Sequence, residues 1–325
     1  MRGIRSSWFP VLLGLVILIV ILRSIHFKSS AAQLPEDAEW HAPDINLVPN
    51  TADGDVIRYG RDLIVNTSKY FGPHGIVAPI TNGMNCQNCH VEAGTRLYGN
   101  SLSAAAANYP LFRNRSGRIE SLEFRINDCM QRSLNGKTID SLSREMRAMV
   151  AYIKWLGKDV HQKTRPVGAG IVDIPYLPIA ADPEKGKMVF EGKCVRCHQE
   201  NGGGVMWPDS MGYMYPPLWG EHSYNVSAGM FRLSRLASFI KYNMPFAETF
   251  VPPQITDEEA WNVAAYISSQ PRPDERYAED WPKVETKPED YPFGPYTDGF
   301  SEIEHKYGPF IPIKMAKDKK QASIK

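Results

Sequence analysis

One five-residue pattern, Cys-x-x-Cys-His, occurs twice in the chain, and its two copies begin 108 residues apart. In this spacing two thiols can add to the two vinyl groups of one haem while the adjacent imidazole reaches the iron. A zinc site made from the two cysteine pairs is the alternative, but the histidine after each pair and the long separation disfavour it. We therefore expect two covalently attached haem c groups, each with a histidine as one iron ligand. The residues involved are Cys86, Cys89 and His90 in the first copy, and Cys194, Cys197 and His198 in the second.

The composition is that of an ordinary globular protein. At about 150 residues per domain, a chain of 325 residues corresponds to two domains, and 43% of its residues are hydrophobic. Lys and Arg together number 37 and Asp and Glu 36, so the formal net charge is +1. Because proteins that bind nucleic acids usually have a strongly basic face, we expect no nucleic-acid partner. Four of the five cysteines belong to the repeated pattern, which excludes a disulfide scaffold.

The N-terminal segment is typical of an export signal or a membrane anchor. Arg2 and Arg5 precede an unbroken non-polar run at residues 8–22, which is the order of charge and hydropathy found in export signals. The run would span only about 22 Å of a ~30 Å hydrocarbon core, but Trp8 and a snorkelling Arg23 can extend it to both interfaces. Basic residues separate the run from the small residues that follow, which makes a poor cleavage site. We predict an anchor in the inner membrane, with a cleaved signal as the alternative, and the rest of the chain on the periplasmic side of the cytoplasmic membrane.

Helix signals surround both copies of the pattern in the same order. Asp182 followed by Pro183 predicts a helix start before the second copy, and residues 256–259 form a capping box that opens a later helix. In the first half, apolar residues at helical spacing over residues 146–156 predict an equivalent closing helix. The tripeptide Ala-Tyr-Ile occurs in both closing helices and ends 63 and 69 residues after the respective motif histidine. The sequence therefore predicts an all-α fold of two class I cytochrome c domains in tandem, each with one covalent haem, plus an N-terminal hydrophobic helix.

Changes in composition divide the chain into segments. A stretch rich in proline and glycine separates the two predicted domains, and eight prolines occur from residue 271 onward. We expect this last part to wrap the surface rather than to form a third domain. The predicted segments are the anchor 1–32, the first cytochrome domain 33–163, the linker 164–181, the second cytochrome domain 182–271 and the C-terminal extension 272–325.

Met244 is the predicted sixth ligand of the second iron. It lies 46 residues after His198, is followed by Pro245, and comes at the end of a predicted helix over residues 231–242. Three other methionines lie within 16 residues of His198, which is too close for an approach from the opposite face of the haem. His222 stays as a weaker alternative ligand. Ligation by His198 and Met244 would raise the reduction potential of the second haem.

Two residues compete for the same position in the first domain. Cys129 and Met130 both follow Ile126 at the spacing of a distal ligand, and spacing alone leaves both open. Met130 would make a plain electron-transfer haem, whereas Cys129 would make a thiolate-ligated one. A buried inert thiol is the simplest alternative for Cys129, yet an unpaired cysteine in an oxidising compartment is unusual.

The chain around Cys129 is basic. Residues 113–137 contain six basic and three acidic side chains, a net charge of +3 against +1 for the whole chain. Such a run commonly forms a solvated surface. Arginine also binds oxyanions through a planar fork of donors, so an oxyanion site is the alternative interpretation.

Several stretches resemble the dihaem thiosulfate dehydrogenase/tetrathionate reductase family. The most specific is Arg-Ile-Asn-x-Cys-x-x-Arg-Ser at residues 125–133. The resemblance extends over roughly residues 40–313. The other similar stretches are residues 85–90, 109–117, 243–245 and 305–310.

This resemblance implies iron ligands and a substrate site. The implied ligand pairs are His90 with Cys129 at the first, catalytic haem, and His198 with Met244 at the second, electron-transfer haem. The implied catalytic and substrate-binding residues are Cys129, Arg115, Arg125 and Ser133. Some members of the family carry lysine where this chain has Asn243.

The implied reaction is 2 thiosulfate ⇌ tetrathionate + 2 electrons. Two dianions must meet, and at ~4 Å with an effective dielectric constant of about 20 they repel by roughly 16 kcal/mol, so nearby arginines are needed. The Cys129 sulfur would hold one thiosulfate while the second attacks. Electrons would pass from the first haem to the second and then to a soluble or membrane-bound cytochrome or a quinol-linked partner.

Two other functions fit parts of the sequence. A membrane-anchored dihaem electron-transfer cytochrome without its own catalysis would use Met130 and has no need for the arginines. Another sulfur-oxidising haem enzyme with a modified cysteine ligand would keep Cys129 but act on a different substrate.

Overall fold

A computed structural model describes residues 40–209, 211–246 and 253–322 of the chain. These residues belong to one unit, Trp40–Lys325. No helix within the described ranges is long and apolar enough to cross a membrane. The predicted anchor at residues 1–32, with its hydrophobic helix, lies outside them.

Helices make up most of the first half. They are α1 (Ala52–Val65), α2 (Thr67–Phe71), α3 (Ala105–Asn108), α4 (Leu122–Arg132) and α5 (Arg144–Leu156), with 3-10 turns at Ile45–Leu47 and Cys86–Asn88 and a left-handed turn at Val91–Gly94. Thr51 caps α1 by accepting a hydrogen bond from the Gly54 N–H at 3.2 Å, and Ser143 caps α5 through the Met146 N–H at 3.1 Å. The closing helix predicted over residues 146–156 is therefore confirmed, and it starts two residues earlier.

The second half repeats this arrangement. Its helices are α6 (Pro183–Lys193), α7 (Val195–His198), α8 (Leu233–Asn243) and α9 (Asp257–Ser269), with a 3-10 turn at Gly229–Phe231. Asp182 caps α6 by accepting from the Glu184 N–H at 2.8 Å. Thr256 and Glu259 form the predicted capping box of α9. Both helix starts are thus confirmed.

A glycine lets the first and last helices of each half cross closely. A Cβ atom on Gly60 would lie 1.9 Å from the carbonyl oxygen of Ala148, and one on Gly186 would lie 1.9 Å from that of Asn262. Only glycine permits such an approach of helix backbones. Because the same crossing occurs at equivalent positions, the internal repeat predicted from the sequence is confirmed.

A shared apolar cluster joins the two halves. Val91 and Ile171 from the first part of the chain pack with Tyr224, Phe231 and Phe239 from the second. The side chains that lie at the margin of this cluster include Cys89 and Met244. One attachment thiol and the predicted distal methionine therefore contact the same core.

Two short hairpins depart from the all-α prediction. Strands β1 (Leu111–Arg113) and β2 (Arg118–Glu120) pair antiparallel, with Arg113 opposite Arg118. Strands β3 (Val205–Met206) and β4 (Tyr213–Tyr215) form the second hairpin. The turn of the first hairpin contains Gly117 at φ +66°, a left-handed conformation that favours glycine. The fold remains dominated by helices, but the first hairpin carries Arg115 in its turn.

The segment predicted as a linker, residues 164–181, packs against both halves. Near its start, the Tyr98 N–H donates to the Gly168 carbonyl at 2.8 Å, and the Asn100 N–H donates to Gly170 at 2.8 Å. Near its end, Ile174 and Ala181 are buried in the core of the second half. This segment is therefore hydrogen-bonded to the first half and buried in the core of the second.

The extension, predicted to wrap the surface, also enters the second core. It contains the 3-10 turn Val284–Thr286 and the helices α10 (Glu302–Tyr307) and α11 (Phe310–Ala322). Phe310 and Ile313 are buried against Trp261 and its neighbours. The core of the second half thus includes apolar side chains beyond residue 271, where the second domain was predicted to end.

Asp290 of the extension caps helix α8. The N-cap residue Arg232 makes no side-chain cap of its own, and the Asp290 carboxylate instead accepts from the Ser234 N–H at 3.1 Å and from its hydroxyl at 2.5 Å. The Arg232 Nε–H also donates to Asp290 at 2.8 Å. A carboxylate at a helix N-terminus satisfies free N–H groups and the helix dipole. This contact fixes the helix that ends next to Met244.

Candidate haem and substrate site

The ends of α1 and α2 hold the first attachment motif. The Cys86 N–H donates to the Thr67 hydroxyl at 3.0 Å, and the Gln87 side-chain amide donates to the Val65 carbonyl at 2.9 Å. These bonds fix the 3-10 turn that carries the first thiol. The second thiol and the histidine follow directly, and all three motif side chains are half-buried.

Both motif histidines are oriented by a backbone carbonyl. The Nδ1 of His90 lies 2.7 Å from the Asn100 oxygen, and that of His198 lies 2.9 Å from the Pro216 oxygen. A carbonyl only accepts hydrogen bonds, so Nδ1 carries the proton and Nε2 keeps its lone pair for a metal. Burial lowers the pKa of His90 to about 4 and also lowers that of His198. Neutral rings with a free Nε2 fit the role of haem iron ligands.

The motif thiols are half-buried and form no disulfide. All five cysteines, which lie within the described residues, are free of disulfides. Burial raises the pKa of Cys194 to about 11. Within the described ranges, no group of three or more His, Cys, Asp or Glu is arranged to hold a metal ion. This arrangement fits two thiol pairs for haem attachment and does not support the zinc alternative.

Cys129 lies within electrostatic range of the first motif. Burial, assisted by the charge of Cys129, raises the pKa of Cys86 to about 11 and that of Cys89 to about 12. Cys129 itself is half-buried on α4. Met130 is only 1% exposed and belongs to the core of the first half, together with Met149. Cys129 therefore interacts electrostatically with both motif thiols, whereas Met130 belongs to the apolar core against which Cys86 packs.

The two arginines predicted to bind substrate share a buried carboxylate. Arg115 and Arg125 both donate to Oδ2 of Asp128, and the Nε–H of Arg132 donates to Oδ1 of the same side chain. The Asp128 side chain is 5% exposed, whereas that of Arg125 is 31% exposed. The structure thus brings the two predicted arginines together, and it places Asp128 between them, which the charge count alone did not predict.

The charges in this cluster are strongly coupled. Burial opposes ionisation of Asp128, but the three guanidinium groups outweigh it and hold the pKa of this carboxyl below its usual range. Electrostatic interaction with Cys129 is the largest cause of the raised pKa of Arg125. Burial lowers the pKa of Arg115. Arg125 is thus the half-buried cation that the Cys129 sulfur affects most.

Ser133, Tyr109 and Glu120 lie around this cluster. Ser133 ends helix α4, and its N–H donates to the Cys129 carbonyl at 2.9 Å. Burial raises the pKa of Tyr109, and Arg125 opposes that shift. Glu120 is 2% exposed, and its charge adds to the raised pKa of Arg125. Sequence reasoning did not assign Tyr109 or Glu120 to the site, because no local pattern shows which side chains before the first hairpin or at its end reach Arg125.

Met244 directly follows helix α8. The predicted helix over residues 231–242 is confirmed with slightly shifted ends, and the Met244 N–H donates to the Ile240 carbonyl at 3.0 Å. Met244 packs against both the core that contains Cys194 and the shared cluster. The buried side-chain amide of Asn243 donates to the Tyr98 carbonyl at 3.2 Å. His222, the weaker ligand candidate, is exposed.

Comparisons with known proteins agree with this geometry. Residues 78–161 match the family model of the SoxA/TsdA cytochrome c domain, and residues 183–271 match the cytochrome c model. The chain is 33% identical over 237 residues to the thiosulfate dehydrogenase of Stutzerimonas stutzeri (strain A1501), covering 73% of this chain and 74% of that protein. It is 34% identical over 250 residues to the thiosulfate dehydrogenase of Allochromatium vinosum, covering 74% of this chain and 87% of that protein. The chain belongs to the thiosulfate dehydrogenase family.

A solved structure from this family supports the fold. The thiosulfate dehydrogenase (TsdBA) of Marichromatium purpuratum, in its "as isolated" form, aligns with a TM-score of 0.68 at 29% identity. The alignment covers 78% of this chain and 54% of that one, so this chain spans about half the length of that protein. As a family member with two cytochrome c domains, the chain carries two covalent haem c groups.

Proposed function

We propose that this member of the thiosulfate dehydrogenase family joins two thiosulfate ions into tetrathionate with release of two electrons, and that it also catalyses the reverse reaction. The observation that carries the proposal is the position of Cys129, close to the first attachment motif and next to Arg125 in electrostatic range. The names of the relatives support the same substrate. The alternative of a pure electron carrier relied on Met130 and has no use for the arginine cluster around Asp128.

In this proposal, Cys129 and His90 would both hold the first haem iron, and the Cys129 thiolate would also be the reacting group. Its sulfur bonds to the terminal sulfur of one thiosulfate and gives Cys-S–S-SO3⁻ with release of two electrons. The second thiosulfate attacks the sulfur attached to the sulfonate, forms tetrathionate, and returns Cys129 as a thiolate. Each haem, when bound, accepts one electron, so two haems match the two electrons released.

The arginines make the meeting of two dianions possible. Arg115 and Arg125 would bind the sulfonate oxygens through guanidinium donors that Asp128 does not use. The Ser133 hydroxyl would donate a further hydrogen bond at the end of α4. The three arginines bind Asp128 and Asp280 in this cluster. Their remaining guanidinium donors would partly offset the repulsion between the substrates.

Electrons would leave through the second haem. Ligation by His198 and Met244 would give that haem the higher potential, and Met244 and Cys89 border the same apolar cluster. An external cytochrome or a quinol-linked partner would then take the electrons. The cytochrome c domains indicate a periplasmic location, and anchoring by residues 1–32 stays a prediction.

The test uses the purified protein with both haems oxidised. Thiosulfate is added without another electron donor, and the absorbance of reduced haem is followed. We expect prompt reduction of the wild type and of Met130→Leu, and none of Cys129→Gly. Equal reduction of all three proteins, or of none, would contradict the proposal. Tetrathionate added to reduced protein then measures the reverse direction.

A further inference from the structure

The C-terminal extension touches the arginine cluster at several points. Both terminal nitrogens of Arg132 donate to Asp280, at 2.6 and 2.8 Å. The Tyr277 ring lies under the Arg132 guanidinium, 4.0 Å from its central carbon. The Trp281 N–H donates to the carbonyl of Arg115 at 2.6 Å. The extension therefore contacts both a guanidinium of the cluster and the backbone of a proposed substrate-binding residue.

The same stretch packs tightly on the turn of the first hairpin. A Cβ atom on Gly117 would lie 2.5 Å from Cγ of Pro282. On its other side the extension is held by the second half of the chain. There the Ser227 hydroxyl donates to the Glu275 carbonyl at 2.6 Å, and the Val226 N–H donates to Pro273 at 3.1 Å. Contacts on both sides thus fix the position of Asp280.

The hydrogen bonds of the cluster depend on one another, because Asp280 orients Arg132, Arg132 binds Asp128, and Asp128 holds the two substrate arginines. Asp280 binds both terminal nitrogens of Arg132 and so fixes the orientation of the guanidinium, and in this orientation Arg132 bonds Asp128 through Nε and Oδ1. Oδ2 of Asp128 is then available to Arg115 and Arg125 together. Without Asp280, the planar fork of Arg132 is free to take both carboxylate oxygens of Asp128. Arg115 and Arg125 would then lose the atom that holds them side by side.

We propose that the extension is part of the substrate site, with Asp280 as a positioning residue that keeps Arg132 away from Oδ2 of Asp128. This inference rests on the proposed function, since it assumes that Arg115 and Arg125 bind the substrate. In this role, Asp280 contacts neither the substrate nor the haem. It acts only through Arg132 and Asp128.

In Asp280→Asn, the loss of a negative charge and the loss of the arginine arrangement are expected to change KM for thiosulfate in opposite directions. Removing a negative charge close to the site favours binding of a dianion and would lower KM for thiosulfate. Losing the arrangement of the two arginines would raise KM. About 0.5 M potassium chloride shortens the screening length to roughly 4 Å and weakens the attraction of the exposed surface for a dianion. The side chain of Asp280 is only 5% exposed, so any charge effect that salt leaves there lowers KM and opposes the rise expected from loss of position.

The experiment measures KM and kcat for thiosulfate at this ionic strength, with ferricyanide as electron acceptor. We expect Asp280→Asn to raise KM about tenfold, with kcat changed less than about twofold and haem spectra unchanged. Asp280→Glu keeps the charge and is expected to restore part of the affinity. The matched control is Asp274→Asn, which removes the same charge from an exposed ion pair with Arg276 in the same extension. Its KM is expected to equal that of the wild type.

The outcomes separate this inference from the proposed function. An active wild type with an unchanged or lowered KM in Asp280→Asn overturns only the role of Asp280. An equal rise of KM in Asp274→Asn overturns it as well, because contact with Arg132 would then be irrelevant. A wild type that thiosulfate does not reduce refutes the proposed function and, with it, the inference.

Discussion

Replacing Asp128 by Asn tests whether one buried carboxylate holds the arginine cluster together. The substitution keeps the size of the side chain and removes its charge, while Arg115, Arg125 and Arg132 remain around it. The side chain is 5% exposed, so solvent cannot replace the lost charge. Removing one partner of a buried ion pair costs about 3–5 kcal/mol. We expect the free energy of unfolding to fall by this amount.

The assay is thermal unfolding followed by circular dichroism. For a protein of this size each kcal/mol shifts the midpoint by about 2–4 °C, so a decrease of roughly 10 °C is expected for Asp128→Asn. The matched control is Asp173→Asn, which breaks an ion pair with Arg235 at 2.7 Å whose aspartate is 70% exposed. An exposed pair contributes about 0–1 kcal/mol, so the control is expected to shift by no more than a few degrees.

Added oxyanions provide a second test of the same idea. In Asp128→Asn, sulfate can bind the guanidinium groups beside the neutral amide, replace part of the missing negative charge and stabilise the folded state by binding. Sulfate is therefore expected to raise the unfolding midpoint of the variant more than that of the wild type, compared with chloride at equal ionic strength. Similar midpoints for Asp128→Asn and Asp173→Asn, or no extra effect of sulfate, would refute the reasoning.

Three further predictions concern the site, the extension and the helix crossing. Arg125→Gln is expected to raise KM for thiosulfate at least tenfold with unchanged haem spectra, and unaltered steady-state kinetics would remove Arg125 from the site. Burial opposes ionisation of Asp290, but Arg232 and Ser234 outweigh it and hold its pKa below 3.8; the stability it provides is present above about pH 4 and is lost as the pH falls through the folded pKa. The difference in urea midpoint between wild type and Asp290→Asn should thus be large at pH 6 and smaller at pH 3, and an equal difference at both would contradict it. Gly186→Ala places a Cβ 1.9 Å from the Asn262 oxygen and should lower the free energy of unfolding by roughly 3 kcal/mol or more, as measured by chemical denaturation. The control is Gly192→Ala on the same helix, where nothing lies within 4 Å of the added Cβ.

Local sequence determined the two haem attachment motifs and the helices around them. A helix start depends on a capping side chain and an N–H two or three residues away, as at Asp182 and Thr256, so it can be read directly from the chain. The attachment pattern is equally local, since two thiols and one imidazole act within five residues. The repeat in the sequence likewise identified two cytochrome domains.

The tertiary structure decided which side chains meet at the site. Spacing left Cys129 and Met130 equivalent, and only packing shows that Met130 is buried in the core while Cys129 is half-buried and in electrostatic range of Cys86 and Arg125. The basic run was visible in the sequence, but Asp128 neutralises part of it, and Asp280 reaches Arg132 from 148 residues away. Such contacts depend on where the whole chain brings its segments, because a hydrogen bond between distant residues leaves no local pattern.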